Sequence, residues 1–455
     1  MDTIAAISTA TGAGGIGIIR MSGKDTFSIL RKIFRMKENI EYDKIPGYTM
    51  KYGYIINTNN LEKIDEVLVT FFKNPKSYTR EDMCEINSHG GVVVEKLILE
   101  QCLNNGAKLA EPGEFTKRAF LNGRIDLTQA ESIIDIINSK TEKESRAAIN
   151  QLEGGLAKKI KIIKDLILDI LSDIEATIDY PEYDIEGVTN TRILSILDKI
   201  SNNLTILKNS FDNGKILKDG IKTVIIGKPN VGKSSLLNAI LDEERAIVSD
   251  VEGTTRDTIE EYVNINGICL KLIDTAGIRN TENEIEEIGV QKALQSLKNA
   301  DLVIVMFDIS KEMTKEDLEL LNKIKSKKSI IVLNKIDKNE NNFKLNMQKY
   351  DNVIELSAQS KKGIDKLYQK IEKMYNLKDI EAEDRTIITN IRHKREIEDC
   401  LHNIKKAANE INKNMQIDIV SIYIKEALEN LNNITGESVS EDIINKIFSK
   451  FCLGK

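Results

Sequence analysis

The stretch around residues 227–234 constrains the fold of this chain more than any other. An apolar run at 223–226 leads into the octet Gly-Lys-Pro-Asn-Val-Gly-Lys-Ser, and a helical run at 235–241 follows it. This pattern is typical of a phosphate-binding loop, in which glycines let backbone N–H groups point at phosphate oxygens and the helix N-terminus adds its positive end. We therefore expect Lys233 to reach the outer phosphates of a nucleotide and the Ser234 hydroxyl to bind Mg²⁺.

Three further motifs follow this loop in order, namely Asp274-Thr275-Ala276-Gly277, Asn334-Lys335-Ile336-Asp337 and Ser357-Ala358. Asp274 can hold the Mg²⁺ shell through water, and the Gly277 N–H can meet a γ-phosphate. The Asp337 carboxylate can accept hydrogen bonds from the N1–H and 2-amino groups of guanine, which adenine does not offer. The last motif would close over the base. This ordered set predicts a guanine-nucleotide site and a GTPase.

The catalytic groups of this site differ from those of small GTPases. A Gln usually follows Asp-x-x-Gly and orients the attacking water, but here the position is Ile278, which cannot form a side-chain hydrogen bond. Arg256 and Arg279 are nearby candidates for the cation that neutralises charge between the β- and γ-phosphates, although either could simply be solvated at the surface. We expect Thr255, in the switch segment 253–255, to complete the Mg²⁺ shell.

The length of 455 residues is too great for one core and predicts about two to four domains. Residues 1–118 have the pattern of an α+β domain, 119–214 that of helices, 215–380 that of an alternating α/β G domain, and 381–455 that of helices again. The fold class is therefore a multidomain protein with α/β and all-α parts. We expect a P-loop G domain with a mostly parallel sheet, inserted into a helical domain and preceded by the α+β domain.

Short apolar runs predict the main elements. We expect strands at 4–8, 16–21, 67–72, 302–307, 330–333 and 353–356, a helix at 92–103, and a hairpin with a type I′ turn at Asn266-Gly267. The Gly-rich run at 12–15 is either a flexible turn or a loop that approaches a ligand. Spacings of three and four predict a bundle helix with one apolar stripe, formed by Ile163, Leu166, Ile167, Ile170, Leu171, Ile174 and Ile178.

Composition excludes several classes of protein. The chain has no run of about 18 apolar residues and no signal-peptide pattern, so we expect a cytoplasmic protein without a membrane span. The cysteines lack zinc-site spacing, and Cys84, Cys102, Cys269 and Cys400 should pack as small hydrophobic residues. A net charge of -6 argues against a non-specific nucleic-acid coat but leaves local basic patches open. One such patch, at 158–164, is either a solvated helix face or an RNA contact.

The motifs together resemble the MnmE (TrmE) family of tRNA-modification GTPases. The resemblance extends over the whole chain and rests on the octet with its continuation to Asn238, on Gly253-Thr254-Thr255-Arg256-Asp257, and on Asp-Thr-Ala-Gly. It also rests on Asp2-Thr3-Ile4-Ala5-Ala6, Ser88-His89-Gly90-Gly91, Thr389-Asn390-Ile391-Arg392-His393 and the terminal Phe451-Cys452-Leu453-Gly454-Lys455. The terminal Cys-x-Gly-Lys is its most specific marker.

For the G domain, the resemblance implies a GTPase activated by potassium-dependent dimerisation. Asn230 matches the family's K⁺ ligand, with Ser249, Val251 and Thr254 in the same shell, and Glu286 matches the catalytic glutamate that orients water. The Mg²⁺ ligands are then Ser234 and Thr255. The predicted GTP-binding set is Asn230, Val231, Gly232, Lys233, Ser234, Ser235, Ser249, Thr254, Thr255, Asp274, Thr275, Ala276, Gly277, Asn334, Lys335, Asp337, Ser357 and Ala358.

For the rest of the chain, the resemblance implies an N-terminal domain that forms a homodimer and binds a 5-formyl-tetrahydrofolate-type donor through Arg20, Glu85, Arg124 and Lys455. A pterin offers N–H donors to a carboxylate, and the folate tail is anionic. The resemblance also implies that Cys452 is required, as a nucleophile or only as a contact, in a C-terminus that we expect to be mobile.

The resemblance also implies a partner and a product. The FAD-dependent protein MnmG (GidA) would join in a heterotetramer or larger complex. Together the two proteins would add an aminomethyl or carboxymethylaminomethyl group to C5 of the wobble uridine of certain tRNAs.

Two other functions remain open. A ribosome-assembly GTPase would share the phosphate loop, but it would not account for the N-terminal part or the terminal cysteine. A folate enzyme with a regulatory G domain would rest only on the four candidate folate residues.

Overall fold

The computed structural model describes residues 2–10, 12–38, 40–179, 186–242, 246–247, 261–273, 297–338, 342–343, 350–376 and 386–455. The chain divides into two compact units. The first unit comprises residues 1–134, 151–197 and 402–455, and the second comprises 135–150 and 198–401. Within the described ranges, no helix combines the length and the apolar character needed to cross a membrane. The predicted domain boundaries stay predictions.

A seven-stranded sheet organises the first unit. Its strands are β1 (Ile4–Ile7), β2 (Gly17–Ser22), β3 (Phe34–Met36), β4 (Thr49–Ile56), β5 (Lys63–Phe72), β6 (Met83–Ser88) and β7 (Lys108–Leu109). Their order is β3-β4-β5-β6-β2-β1-β7, and every pair is antiparallel except β1 with β7. The register of β2 and β6 places Arg20 opposite Glu85.

Helices α1 (Thr26–Ile33) and α2 (Val92–Asn104) cover one face of this sheet. Leu30 and Ile98 are fully buried there against strand residues such as Ile19 and Val69. The predicted strands 4–8, 16–21 and 67–72 and the helix 92–103 are confirmed. The sequence did not predict β6, because its Glu and Asn lie on the face opposite α1 and α2 and interrupt the apolar pattern.

The other helices that lie wholly in the first unit are α3 (Glu114–Leu121), α6 (Gly155–Asp179), α13 (Ile417–Thr435) and α14 (Glu441–Phe448). Helices α4 (Leu127–Asn138), α5 (Glu142–Leu152), α7 (Glu186–Asn209) and α12 (Ile391–Asn412) have residues in both units. The predicted bundle helix is α6, and most of its stripe is buried. The stripe ends earlier than predicted, because Ile178 is 44% exposed.

The second unit contains the other sheet, with strands β8 (Ile221–Gly227), β9 (Ala246–Ile247), β10 (Glu261–Ile265), β11 (Ile268–Leu272), β12 (Leu302–Asp308), β13 (Ser329–Asn334) and β14 (Val353–Leu356). The order is β14-β13-β12-β8-β11-β10-β9, and the first five strands of this order are parallel. Asn266 and Gly267 have φ values of 49° and 83°, so the predicted type I′ hairpin is confirmed.

Helices lie on both faces of this sheet, namely α8 (Phe211–Asp219), α9 (Lys233–Leu241), α10 (Lys315–Lys323) and α11 (Ile364–Met374). Ile225 packs with α8, α9 and α11, whereas Val224 packs with α10 on the opposite face. Strands buried on both faces consist of continuous apolar runs. Because β12, β13 and β14 have such runs, they were predicted from the sequence. The predicted mostly parallel α/β G-domain fold is confirmed.

Candidate functional site

The phosphate loop connects β8 to α9, as predicted. Gly232 ends the loop with a φ of 100°, in the left-handed region that favours glycine. A Cβ at this position would lie 2.2 Å from Nδ2 of Asn334. Glycine is therefore required both for the turn and for the approach of a neighbouring loop.

Lys233 begins α9, and its Nζ donates hydrogen bonds to the carbonyl oxygens of Gly227 and Lys228, each at 2.8 Å. Burial lowers the pKa of this lysine, because desolvation disfavours its charged form. A phosphate beside it would supply the missing negative charge. Ser234 follows at the same helix N-terminus, so the described part of the loop suits a phosphate chain with Mg²⁺.

Asn334 joins the three described motifs of the nucleotide site. Its side chain is buried at the end of β13, where Nδ2 donates to the carbonyl oxygen of Val231 at 2.8 Å. Its Oδ1 accepts a hydrogen bond from the backbone N–H of Ala358 at 2.9 Å. One side chain therefore holds the phosphate loop and the 357–358 segment together. Asp337 lies in a short 3₁₀ turn after β13, and its side chain is exposed.

Asp308 is a residue of this site that the sequence did not identify. Nζ of Lys335 lies 2.7 Å from Oδ2 of Asp308 and 2.6 Å from the carbonyl oxygen of Asn230, to which it donates. Burial alone would raise the pKa of Asp308, but hydrogen bonds from Lys335 and Ser310 outweigh burial and lower it. A carboxylate at the end of the fully buried strand β12 was the signal available in the sequence.

Several predicted residues of the nucleotide site lie outside the described residues. They are Ser249, Val251, Thr254, Thr255, Asp274, Thr275, Ala276, Gly277 and Glu286, together with Arg256, Ile278 and Arg279. Their roles stay predictions.

In the first unit, the four predicted folate residues form one group. Arg20 donates from Nε and Nη2 to Oε1 of Glu85, at 2.9 and 2.7 Å. Its Nη1 donates to the carbonyl oxygen of Gly454 at 3.3 Å, across a separation of 434 residues. Burial lowers the pKa of Lys455, and the nearby positive charge of Arg20 lowers it further. The group therefore holds three cationic side chains and one carboxylate.

Tyr78 contacts two of these residues, and the sequence did not identify it. The guanidinium carbon of Arg20 is 5.3 Å from the centre of the Tyr78 ring, and that of Arg124 is 4.8 Å away. The Tyr78 hydroxyl is hydrogen-bonded to Oγ1 of Thr116 at 2.8 Å. We call Arg20, Tyr78, Glu85, Arg124 and Lys455 the N-terminal cluster. Cation–π contact at one aromatic ring brings the two guanidiniums together.

The C-terminal tail is packed, so the expectation of a mobile terminus was wrong. Phe451 is buried against α14 and α3 residues. The carbonyl oxygen of Gly454 also accepts a hydrogen bond from Oγ of Ser8 at 3.0 Å, and that of Lys455 accepts one from the N–H of Phe115 at 3.2 Å. Cys452 lies on this packed tail with an exposed side chain. The other four cysteines are buried, as predicted.

Comparison with known proteins shows the family of this chain. A family model described as the MnmE helical domain matches residues 127–452, and one described as the GTP-binding protein TrmE N-terminus matches residues 3–124. The chain belongs to the MnmE family. It is 50% identical over 457 aligned positions to "tRNA modification GTPase MnmE" of Acetivibrio thermocellus, covering 100% of this chain and 99% of the relative.

Two further matches extend this picture. The protein of the same name from Clostridioides difficile is 45% identical, with 100% of this chain and 99% of the relative covered. A solved structure of an Era variant from Aquifex aeolicus with GDP and AlF₄⁻ covers 40% of this chain and 66% of its own, at 28% identity and a TM-score of 0.26. The family assignment rests on the family models and the full-length relatives.

Proposed function

We propose that this protein hydrolyses GTP to GDP and phosphate in support of tRNA modification. The modification is the addition of an aminomethyl or carboxymethylaminomethyl group to C5 of the wobble uridine of certain tRNAs. One observation carries the GTPase assignment: Asn334 connects the phosphate loop to the 357–358 segment, as a guanine-nucleotide site requires. The names of relatives that match over the full length support the tRNA substrate.

In the proposed reaction, the loop N–H groups and Lys233 bind the β- and γ-phosphates. Ser234 and Thr255 would hold Mg²⁺, which would supply positive charge at the phosphates. Asn230, with Ser249, Val251 and Thr254, would hold K⁺ in place of an arginine finger, and Glu286 would orient the attacking water. Asp337 reads the guanine edge. The buried Lys335–Asp308 pair supports this assignment because it fixes the carbonyl of Asn230.

The N-terminal cluster is the proposed site of a 5-formyl-tetrahydrofolate-type donor. Glu85 would accept hydrogen bonds from the pterin, while Arg20, Arg124 and Lys455 would face the anionic tail. The ion pair of Arg20 with Glu85 and the contacts of Arg20 and Arg124 with the Tyr78 ring support this proposal. Cys452 lies three residues from Lys455 on the same tail, where its exposed thiol can act as a nucleophile or as a contact.

The proposed assembly is a homodimer that acts in the cytoplasm with the FAD-dependent partner MnmG and tRNA. The proposed domains are an N-terminal folate and dimer domain at 1–118, a helical domain at 119–214 and 381–455, and the G domain at 215–380. Family membership and the separate N-terminal sheet support this organisation.

Mass spectrometry of tRNA nucleosides tests the proposal. Cells that lack this protein are complemented with the unchanged chain or with Cys452→Ser. We expect C5-aminomethyl-type uridines to vanish without the protein and to return only with the unchanged chain. Unchanged uridines, together with altered ribosomal subunit profiles, would replace this proposal with the ribosome-assembly function. Recovery with Cys452→Ser would remove the cysteine from the proposed chemistry.

A further inference from the structure

Lys228, the second residue of the phosphate loop, has side-chain partners on a different element of the second unit. Its Nζ lies 3.1 Å from Oδ1 of Asp317 and 3.1 Å from Oε2 of Glu316, and it donates to Oγ1 of Thr314. These three residues form the N-terminus of α10, which follows β12 in the chain. Lys228 therefore connects the phosphate loop to α10. It occupies a position where the motif allows any residue, unlike the two glycines, Lys233 and Ser234, which the motif specifies.

The two carboxylates beside Lys228 differ in their surroundings. The side chain of Asp317 is 6% exposed, whereas that of Glu316 is 79% exposed. Asp317 also accepts hydrogen bonds through Oδ2 from the N–H and hydroxyl of Thr314, both at 2.9 Å. Because exposed ion pairs contribute little and enclosed ones are costly to break, Asp317 is the dominant partner of Lys228.

The backbone of Lys228 meets the catalytic part of the loop. Its carbonyl oxygen accepts the hydrogen bond from Nζ of Lys233, the proposed phosphate-binding cation. Two residues later, the carbonyl of Asn230 is held by Lys335 and Asp308. Asn230 has a φ of 61°, in the left-handed region that asparagine adopts more readily than most non-glycine residues. We call residues 228–230 the outer segment of the loop.

The outer segment is thus fixed at both ends by a lysine–aspartate pair. Lys228 with Asp317 fixes its first residue, and Lys335 with Asp308 fixes its last. Both aspartates belong to the part of the chain that begins at the end of β12. Displacement of this segment would move the carbonyl that receives Lys233 and the backbone of Asn230 together.

We propose that Lys228 and Asp317 are positioning residues for GTP hydrolysis. The pair holds the outer segment so that Lys233 meets the phosphates and Asn230 meets K⁺. The inference rests on the proposed GTPase function and assigns to it two residues that act through the loop.

Potassium titration of GTP hydrolysis by the full chain tests this pair. Lys228→Met and Asp317→Asn are each expected to lower kcat about tenfold, because small displacements of positioned groups have large effects on rate. Both should also raise the K⁺ concentration for half-maximal activity, a quantity that a loss of folded protein does not change. Lys228→Arg keeps the positive charge and should restore much of kcat and of the K⁺ dependence. Glu316→Gln, at the exposed carboxylate, is the matched control and should have the kcat and K⁺ dependence of the unchanged protein.

The double variant Lys228→Met with Asp317→Asn separates a pair from two independent residues. If the two act as a pair, the double variant is no slower than either single variant. Multiplied losses in kcat, or single variants with unchanged kcat and K⁺ dependence, would overturn the inference. If the unchanged protein hydrolyses GTP without K⁺ stimulation, the potassium assignment of Asn230 fails, and the non-additive loss of kcat alone then decides the role of the pair.

Discussion

The nucleotide site and the N-terminal cluster both gather cationic groups where an anion is proposed to bind, but they are built in different ways. The phosphate loop takes its N–H groups and Lys233 from one uninterrupted stretch of chain. The N-terminal cluster instead joins β2, β6, Tyr78, Arg124 and the C-terminal tail. Arg20 is hydrogen-bonded to a residue 434 positions away. The loop therefore presents its phosphate-binding groups from one segment, with distant residues only supporting it, whereas every ligand-facing group of the N-terminal cluster depends on the packing of a different segment.

This difference predicts that the two sites respond separately to substitution. They lie in different compact units. A substitution in the phosphate loop should abolish GTP hydrolysis and leave folate binding at the N-terminal cluster unchanged. A substitution in the C-terminal tail should weaken folate binding and leave GTP hydrolysis unchanged.

The largest effect is expected for Lys233→Ala. The loop loses the cation that meets the outer phosphates, so GTP hydrolysis should fall by about 10²-fold or more. Stopped-flow or steady-state phosphate release measures the loss. Equilibrium binding of 5-formyltetrahydrofolate should be unchanged in this variant. A parallel loss of folate binding would contradict the separation of the two sites.

Gly454→Val should have the next largest effect, at the N-terminal cluster. Gly454 has a φ of 84°, and a Cβ there would lie 2.3 Å from the carbonyl oxygen of Ile7. Overpacking of this kind costs about 1–3 kcal/mol, so the tail should dock poorly and folate affinity should fall about tenfold or more. Isothermal titration calorimetry measures the affinity. Leu453→Ala is the matched control because Leu453 is exposed on the same tail.

A GTPase assay on Gly454→Val sharpens the comparison. Hydrolysis in the absence of a partner protein should stay at the level of the unchanged chain, since the substituted residue lies in the other unit. Equal losses of folate affinity in Leu453→Ala and Gly454→Val would show that tail docking is not what matters.

Tyr78→Leu should weaken folate binding by a smaller factor. Each cation–π contact contributes about 0.5–1 kcal/mol, so loss of the ring should reduce affinity about threefold to tenfold. Tyr78→Phe keeps the ring and removes only the hydrogen bond to Thr116, so it should stay within about threefold of the unchanged protein. If Phe and Leu were equally damaging, the hydroxyl and not the ring would be responsible.

The smallest effect is a pH dependence that arises from Lys455. Its pKa is lowered by burial and by Arg20, so the ammonium loses its proton at a lower pH than an ordinary lysine, whose pKa is about 10.4. An anionic ligand binds best to the charged form. Folate affinity should therefore be full below the lowered pKa and should decline as the pH rises through it.

Lys455→Arg is the control for this dependence, since arginine stays charged over the whole range. The folate affinity of that variant should stay constant over the pH range in which the affinity of the unchanged protein declines. A decline that persists in Lys455→Arg would assign the titration to the ligand or to another group. GTP hydrolysis serves as an internal reference because Lys455 lies in the first unit.

Local sequence signals were sufficient for part of this molecule. The strands β12, β13 and β14, the hairpin turn and the phosphate loop were predicted because each is specified by residues close together in the chain. The strand β6 was missed because its polar residues, on the face opposite α1 and α2, interrupt the apolar run. Asp308 and Tyr78 were missed for a different reason: a single carboxylate or aromatic side chain has no pattern until its partners are known.

The sequence by itself determined the phosphate loop, the guanine-nucleotide motifs and the family, because motif geometry and backbone preference act over a few residues. The tertiary structure decided that Asn334 joins two loops, that Lys228 connects to Asp317, and that the C-terminal tail is packed beside Arg20. These contacts depend on strand order and on register, which bring together residues far apart in the chain. Hydrogen bonds and ion pairs act only at short range, so packing had to place these groups before their roles could be recognised.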